Sequence, residues 1–236
     1  MIIERQTKIM EILSSRHFAT VKELAASVYC SESSVRRDIK ALVAKGYLYE
    51  TYGGVVLPEY SGDVVPVGIR DGYKSAIKDE LARRAAAYVE DGATVIMDGS
   101  STVRRIVKYI GDRRNVRIIT NNVKLLTECK SSGMTVYLTG GRYLPESNIL
   151  VGRAAEDQLR EINADVCFFS SQAVSEEGEI SDASEEETSL RRVMLSRAAK
   201  KIFVFDSSKL GLRRTFKLCS VDEVDEVITD GQTLST

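Results

Sequence analysis

The chain holds one histidine, His17, in 236 residues. That scarcity removes nucleophilic catalysis of the Ser-His-Asp kind unless His17 itself serves, and it leaves no set of histidine ligands for a metal. His17 ends a helix-like segment, where a surface position beside the helix terminus suits it. Cysteine is sparse too. Cys30, Cys129, Cys167 and Cys219 are scattered, without the paired spacing of a zinc site or a redox dithiol, so they read as reduced, mostly buried thiols. No metal or cofactor is expected. Long apolar runs are also missing: AAAYV and KIFVF fall far short of the roughly 20 residues that span a bilayer, and MIIERQTK lacks the layout of a signal peptide. The expectation is a soluble, cytoplasmic protein.

What is present is enough for a core. With 43% hydrophobic residues the chain can bury one substantial core, with room for a second small domain. The net charge of -1 is unevenly spread. Residues 1–57 carry eight Lys/Arg against six Asp/Glu, leaving 25 against 28 for the remainder. This mild excess of cations gives weak support to an anionic partner for the first segment.

Ile9, Ile12 and Leu13 give a first helix one apolar stripe. TVKE follows, with Thr20 at the N-cap and Glu23 three residues on, the form of a capping box opening a short second helix through Leu24 and Val28. After a turn at Tyr29 and Cys30, Ser31 can cap a third helix. In it Val35, Ile39, Leu42 and Val43 fall on one side, until Gly46 ends it. The opposite side carries Ser33, Arg37 and Lys40, with Arg36 on its flank. Such a face is often only solvated. Here it sits on the second of two short helices joined by a tight turn, the layout that places a recognition helix in the major groove. Arginine suits that place because its planar fork bridges O6 and N7 of guanine or grips a phosphate. YLYETYGGVV then alternates and turns at Gly53-Gly54, as a two-stranded wing would.

VKELAASVYCSESSVRRDIKALVAKGYLYETYGG resembles, nearly position for position, the winged helix-turn-helix signature of the DeoR family of bacterial transcription regulators. The resemblance implies that Ser31, Ser33, Ser34, Arg36 and Arg37 contact DNA, and Lys40 on the same face joins them. Tyr52 stands where the family usually has histidine before the paired glycines; a tyrosine there can still reach a phosphate.

The segment that follows holds two of the three prolines and shows no helical period, so residues 58–69 read as a linker between a DNA-binding domain at 1–57 and a larger domain at 70–236. A helix resumes at Ser75, with Ile77, Leu81, Ala85 and Tyr88 on one side. Short apolar runs then alternate with amphipathic helices: ATVIMD, VRIIT, TVYLT, DVCFF, KIFVFD and EVIT are the strand candidates. That order predicts an α/β domain with a mainly parallel sheet. Each run is followed by a small polar turn, DGSST, TNN, TGG, SSQ, DSSK or TDG, and in a parallel sheet these turns share one edge, where ligands bind. Turns are polar in any protein. The combination of hydroxyls and amides with Lys209 is what favours a site. DGSST leaves backbone amides with Ser100, Ser101 and Thr102 at the start of the helix TVRRIVKYI, a phosphate cradle that would equally serve as an ordinary N-cap. The acidic run at 184–187 reads as a capping box, Ser184 with Glu187, rather than as catalytic carboxylates.

From Arg70 to Asp230 the chain again looks like the DeoR family, whose C-terminal half is related in fold to ribose-5-phosphate isomerase and glucosamine-6-phosphate deaminase. The resemblance implies a sugar-phosphate effector surrounded by Arg70, Lys78, Asp98, Gly99, Ser100, Ser101, Thr102, Asn121, Asn122, Gly140, Gly141, Asp182, Glu187 and Lys209. Two departures stand out. The family's D-x-G-T-T is DGSST here, so that serine takes a place glycine would hold more freely, and Gln172 replaces the acid after the fourth strand while keeping its place beside the site. Loss of that carboxylate favours binding without turnover, since aldose-ketose proton transfer needs a base. The expected function is a DNA-binding regulator, a repressor of a carbohydrate-use operon released by a phosphorylated sugar. The alternative is a sugar-phosphate isomerase or deaminase with an accessory DNA-binding module. Helix-turn-helix modules work in pairs, so a homodimer or higher homo-oligomer is expected.

Overall fold

Ile9, Leu13, Leu24, Val35, Ile39, Leu42 and Leu48 recur at the spacing that turns them to one interior, and they form a small core of their own. The computed structural model describes residues 2–16, 18–44, 47–51, 53–57, 70–71, 74–129, 133–145 and 147–231. The chain divides into two compact units, Met1–Lys74 and Ser75–Thr236. The first contains helix α1 (Ile2–Arg16), strand β1 (Phe18–Ala19), α2 (Val21–Ser27), α3 (Glu32–Ala44), β2 (Tyr49–Thr51) and β3 (Gly54–Val56). The capping box forms: the Glu23 N–H donates to Thr20 Oγ1 at 3.2 Å, and the Thr20 N–H donates to the Glu23 carboxylate at 2.7 Å.

The wing is an antiparallel pair, β2 with β3, joined through Gly53 at φ +88°. A third strand, β1, lies on the other side of β3; two residues are too short for any sequence period to reveal. Gly54 permits that approach, since a Cβ there would stand 2.4 Å from the Ala19 carbonyl oxygen. Val43, expected in the core stripe, is only partly buried, and Asp38 is buried instead. His17, Gly46, Tyr52 and residues 58–69 lie outside the described residues.

The second unit starts with α4 (Ser75–Ala85) and is built on β4 (Thr94–Met97), β5 (Arg117–Thr120), β6 (Thr135–Leu138), β9 (Ala164–Phe169), β12 (Ala198–Val204) and β14 (Glu226–Ile228). These six, the runs expected to be strands, form one sheet in the order β14-β12-β9-β4-β5-β6, every pair parallel. Their period of two sorts side chains between two cores. Val95, Met97, Val166, Phe168, Ile202 and Val204 face α4 and the 3-10 segment Val103–Tyr109. Ile96, Cys167, Phe169 and Phe203 face α6 (Arg153–Arg160) and α7 (Glu185–Ser196). Burying a large apolar side chain contributes roughly 1.5–3 kcal/mol, so a sheet covered on both faces is the main source of stability here.

Between these elements lie α5 (Leu125–Glu128), the hairpin β7 (Arg142–Leu144) with β8 (Ile149–Val151), and a small antiparallel sheet of β10 (Ala173–Val174), β11 (Glu179–Asp182) and β13 (Phe216–Ser220). The strand order reverses between β4 and β9. The chain runs outward from β4 to β6, then crosses back and runs outward again from β9 to β14, which opens a crevice beyond the carboxyl ends of β4 and β9. The segment expected as a helix after DGSST is 3-10 rather than α. Among the described residues no helix is long and apolar enough to cross a membrane. Because both cores lie within the second unit, a fragment of residues 70–236 is expected to unfold in one cooperative thermal transition, followed by circular dichroism; a broad, non-cooperative melt would show that the first unit is needed for folding.

Candidate nucleic-acid interface and strand-end site

Helix α3 is fixed in rotation by a polar interaction as well as by its apolar stripe. Asp38 is 3% exposed; its carboxylate accepts from the Arg5 guanidinium of α1 and, at 3.4 Å, from Gln6 Nε2. Arg5 is held above its ordinary pKa chiefly by that hydrogen bond. With Asp38 turned inward, Ser33, Arg36, Arg37 and Lys40 are exposed. Ser31 Oγ accepts the Ser34 N–H at 3.3 Å and lies 3.0 Å from both Ser33 Oγ and Ser34 Oγ, so Ser31 and Ser34 also serve the start of the helix. Arg36 Nη2 is 3.6 Å from Glu32.

At the strand ends, the centre is a residue that sequence reasoning missed. Arg191 of α7, 6% exposed, donates from Nε to Asp98 Oδ2 at 2.9 Å and from Nη1 to Asp182, while Nη2 lies 3.8 Å from Glu187. Burial opposes its charge, but the three carboxylates outweigh burial and raise its pKa. Burial pushes the Asp98 carboxyl upward, against Arg191 and the N–H groups of Ser170 and Ser100 at 3.1 and 3.0 Å. Asp182 also accepts from Ser171 Oγ at 2.9 Å and from the Gln172 N–H at 3.1 Å. Glu187 accepts from Ser147 Oγ at 2.6 Å. The capping box expected at 184–187 is therefore half made: the Glu187 N–H donates to Ser184 Oγ at 3.3 Å, but its carboxylate turns into the site. A small recess remains, lined by Asp98, Gly99, Asn121, Glu187 and Arg191 with Ile149, Leu190 and Met194.

Around it the other expected residues fall into groups. Lys78 Nζ is 3.3 Å from Ser101 Oγ, and Lys209 Nζ is 3.0 Å from Ser170 Oγ. Thr102 Oγ1 and Asn121 Oδ1 are buried without a hydrogen-bond partner, as is Thr139 Oγ1 after β6. Asn122 ties the loops together, donating from Nδ2 to the Gly99 carbonyl at 3.3 Å. Ser100 is not among the positive-φ residues, so serine fits this backbone without strain. Its hydroxyl accepts from the N–H groups of Thr102 and Val103 at 3.1 and 3.5 Å, which fills the cradle with the chain's own oxygen. Gly99 is required by packing: a Cβ there would stand 2.5 Å from Ile149 Cγ2.

The six polar turns do not all meet. Strands spaced about 4.8 Å apart put β6 and β14 about 24 Å from each other across the sheet, too far for one small ligand. Gly140 and Gly141, after β6, have local reasons to be glycine or to lack bulk: the Gly140 N–H donates to Gln158 Oε1 at 2.8 Å, and a Cβ on Gly141, at φ +118°, would stand 2.4 Å from the Val151 carbonyl oxygen. Arg70 belongs to the first unit. Among the described residues no group of His, Cys, Asp or Glu could hold a metal ion.

A helix-turn-helix with a wing, on the same chain as a doubly wound parallel sheet with a polar crevice, defines the layout of a transcription regulator with a second domain. Residues 5–60 match the family model described as a DeoR-like helix-turn-helix domain, and residues 74–231 match the DeoR C terminal sensor domain. The chain belongs to the DeoR family. It is 30% identical over 230 residues to the HTH-type transcriptional regulator GolR of Listeria innocua, covering 97% of this chain and 91% of that one. It is 23% identical over 228 residues to the glycerol-3-phosphate regulon repressor of Escherichia coli, covering 96% and 90%. The second unit resembles the ribose 5-phosphate isomerase fold; the enzyme of Methanocaldococcus jannaschii superposes with a TM-score of 0.43 and 16% identity, over 58% of this chain and 54% of that one. The protein is a DNA-binding regulator.

Removing the cation from the acid cluster should be severe. Arg191→Met leaves three buried carboxylates without their counterion and is expected to cost roughly 3–5 kcal/mol at pH 7 in urea denaturation. The pH dependence has a definite sign. Asp98 already has a folded pKa above its unfolded value, so its protonation favours the folded state, and losing Arg191 raises that pKa further. The deficit of the variant should therefore shrink as pH falls from 7 towards 5; a deficit that is constant or grows over that interval contradicts the assignment.

Proposed function

We propose that this regulator represses a carbohydrate-use operon and releases its operator when a phosphorylated sugar occupies the crevice beyond β4, β5 and β9. The observation that carries the reading is the set of buried polar atoms left without partners there, Thr102 Oγ1 and Asn121 Oδ1, in a molecule whose other buried polar groups are mostly bonded. Such atoms in a native site ask for a ligand or an ordered water. Lys78 and Lys209 beside Ser101 and Ser170 supply positive charge for a phosphate, and the acceptor-rich recess suits sugar hydroxyls. The similarity to a repressor whose name includes glycerol-3-phosphate supports both the phosphate and the sign of regulation. Operator binding falls to Ser31, Ser33, Ser34, Arg36, Arg37 and Lys40, presented in pairs by a homodimer or higher oligomer.

Changing Arg36 and Arg37 together to alanine should abolish specific operator binding and leave the melting temperature nearly unchanged, because both side chains lie outside the core. For every phosphate no longer neutralised, the salt slope should fall by about 0.9. Normal binding by the double variant, with an unchanged slope, would remove α3 from the operator.

Ligand control is tested by a thermodynamic cycle. Hexose and pentose phosphates are first screened by thermal shift, and a hit is titrated calorimetrically into free protein and into the protein-operator complex. Coupling of roughly 1–3 kcal/mol is expected, with weaker binding to the complex. Lys209→Ala should weaken the phosphorylated sugar much more than its dephosphorylated analogue. Equal affinities in the two titrations would show that the site does not regulate DNA binding.

A further inference from the structure

The structure divides two adjacent arginines that the sequence presents as a pair. Val35, Asp38, Ile39 and Leu42 are the buried positions of α3 and define the direction of its packing. At about 100° per residue, Ser33, Arg37 and Lys40 lie within about 30° of the opposite direction, whereas Arg36 lies about 70° away from it, on one flank. The rotation is not free to average this difference out, because Asp38 is held by Arg5 and Gln6 of α1 in addition to the apolar packing.

The two side chains also differ in company. Arg36 sits 3.6 Å from Glu32, one turn back on its own flank. Arg37 has no ion pair among the described residues, and Lys40 has none either. When a helix lies in the major groove, the ridge opposite its packing face points to the base edges and its flanks point to the phosphate walls. We infer that Arg37 is the base-reading arginine of the operator, held over the groove floor, and that Arg36 is a phosphate grip on the groove wall, partly offset by Glu32. The inference rests on the assignment of α3 to the operator and adds a separate role to each of its arginines.

Chemistry separates the roles. A phosphate wants a cation, which lysine supplies as well as arginine; guanine wants the two-pronged fork, which lysine lacks. Full-length wild type, Arg36→Lys and Arg37→Lys are each used to select from a random double-stranded DNA library. The wild-type motif is then measured by fluorescence anisotropy, with each base pair changed singly, over a range of salt. Arg36→Lys should select the wild-type motif with the wild-type salt slope. Arg37→Lys should keep the salt slope and lose about tenfold or more in preference at one base pair of each half-site, while the remaining positions hold. Glu32→Gln should tighten binding to all sequences alike and leave the motif unchanged. An Arg37→Lys protein with the full wild-type motif, or an Arg36→Lys protein that loses a single position, would overturn the division. Absence of any motif from the wild type would overturn operator recognition by α3 and this inference with it.

Discussion

One buried guanidinium holds the strand-end site in shape. Arg191 reaches Asp98 at the end of β4, Asp182 at the end of β11 and Glu187 one turn earlier on its own helix, three segments that no backbone hydrogen bond would bring to one point. Carboxylates packed this closely repel, and burial strengthens the repulsion by removing water. One guanidinium still faces three carboxyl groups, and Ser147, Ser171 and the N–H groups of Ser100, Ser170 and Gln172 all donate into the cluster. The loops at the topological switch point are therefore set by electrostatics, whereas the sheet beneath them is set by apolar burial.

The first unit uses the same device for a different end. Asp38 is an acid at a position of α3 where the stripe calls for an apolar residue, and it is tolerated because Arg5 and Gln6 of α1 meet it. A leucine in its place would pack, but apolar packing is non-directional and would hold the rotation of α3 less strictly. For a helix whose outward ridge must present chosen side chains to another molecule, a directional bond underneath is the more exacting constraint. The capping box at Thr20 and Glu23 plays the parallel part for α2, fixing where that helix begins.

The sheet was legible because its signal is local and repeated. Each of the six parallel strands is a short apolar run, and in all but the edge strand β6, where Tyr137 is exposed, alternate residues serve two cores, so local pattern located them. The wing and the caps were legible for a similar reason, since glycine pairs and the Thr20-Glu23 spacing act over a few residues. What was not legible was long-range. β1 is two residues and exists only because Gly54 lets it approach β3. In the small sheet β10 and β11 form a local hairpin of very short strands, but β13 joins it from far along the chain. Arg191 did leave a trace: Glu187, Leu190, Arg191 and Met194 share the buried side of α7, so two opposite charges four residues apart stand where an apolar stripe should be. A charged pair inside a stripe marks a buried network, although the partners Asp98 and Asp182 are 93 and 9 residues away and only the fold supplies them.

The network also limits what the recess carboxylates can do chemically. Proton transfer between adjacent carbons needs a base with a free lone pair, close to the substrate and able to change protonation during the cycle. In this site the carboxylates that line the recess already accept hydrogen bonds, Asp98 from Arg191 and two backbone N–H groups and Glu187 from Ser147. Gln172 donates its N–H to Asp182. The oxygens a base would need are thus already engaged in the hydrogen bonds that position the loops. Acids committed to structure can still accept from hydroxyl groups through their remaining lone pairs, which is what the proposed binding of a sugar phosphate asks of them.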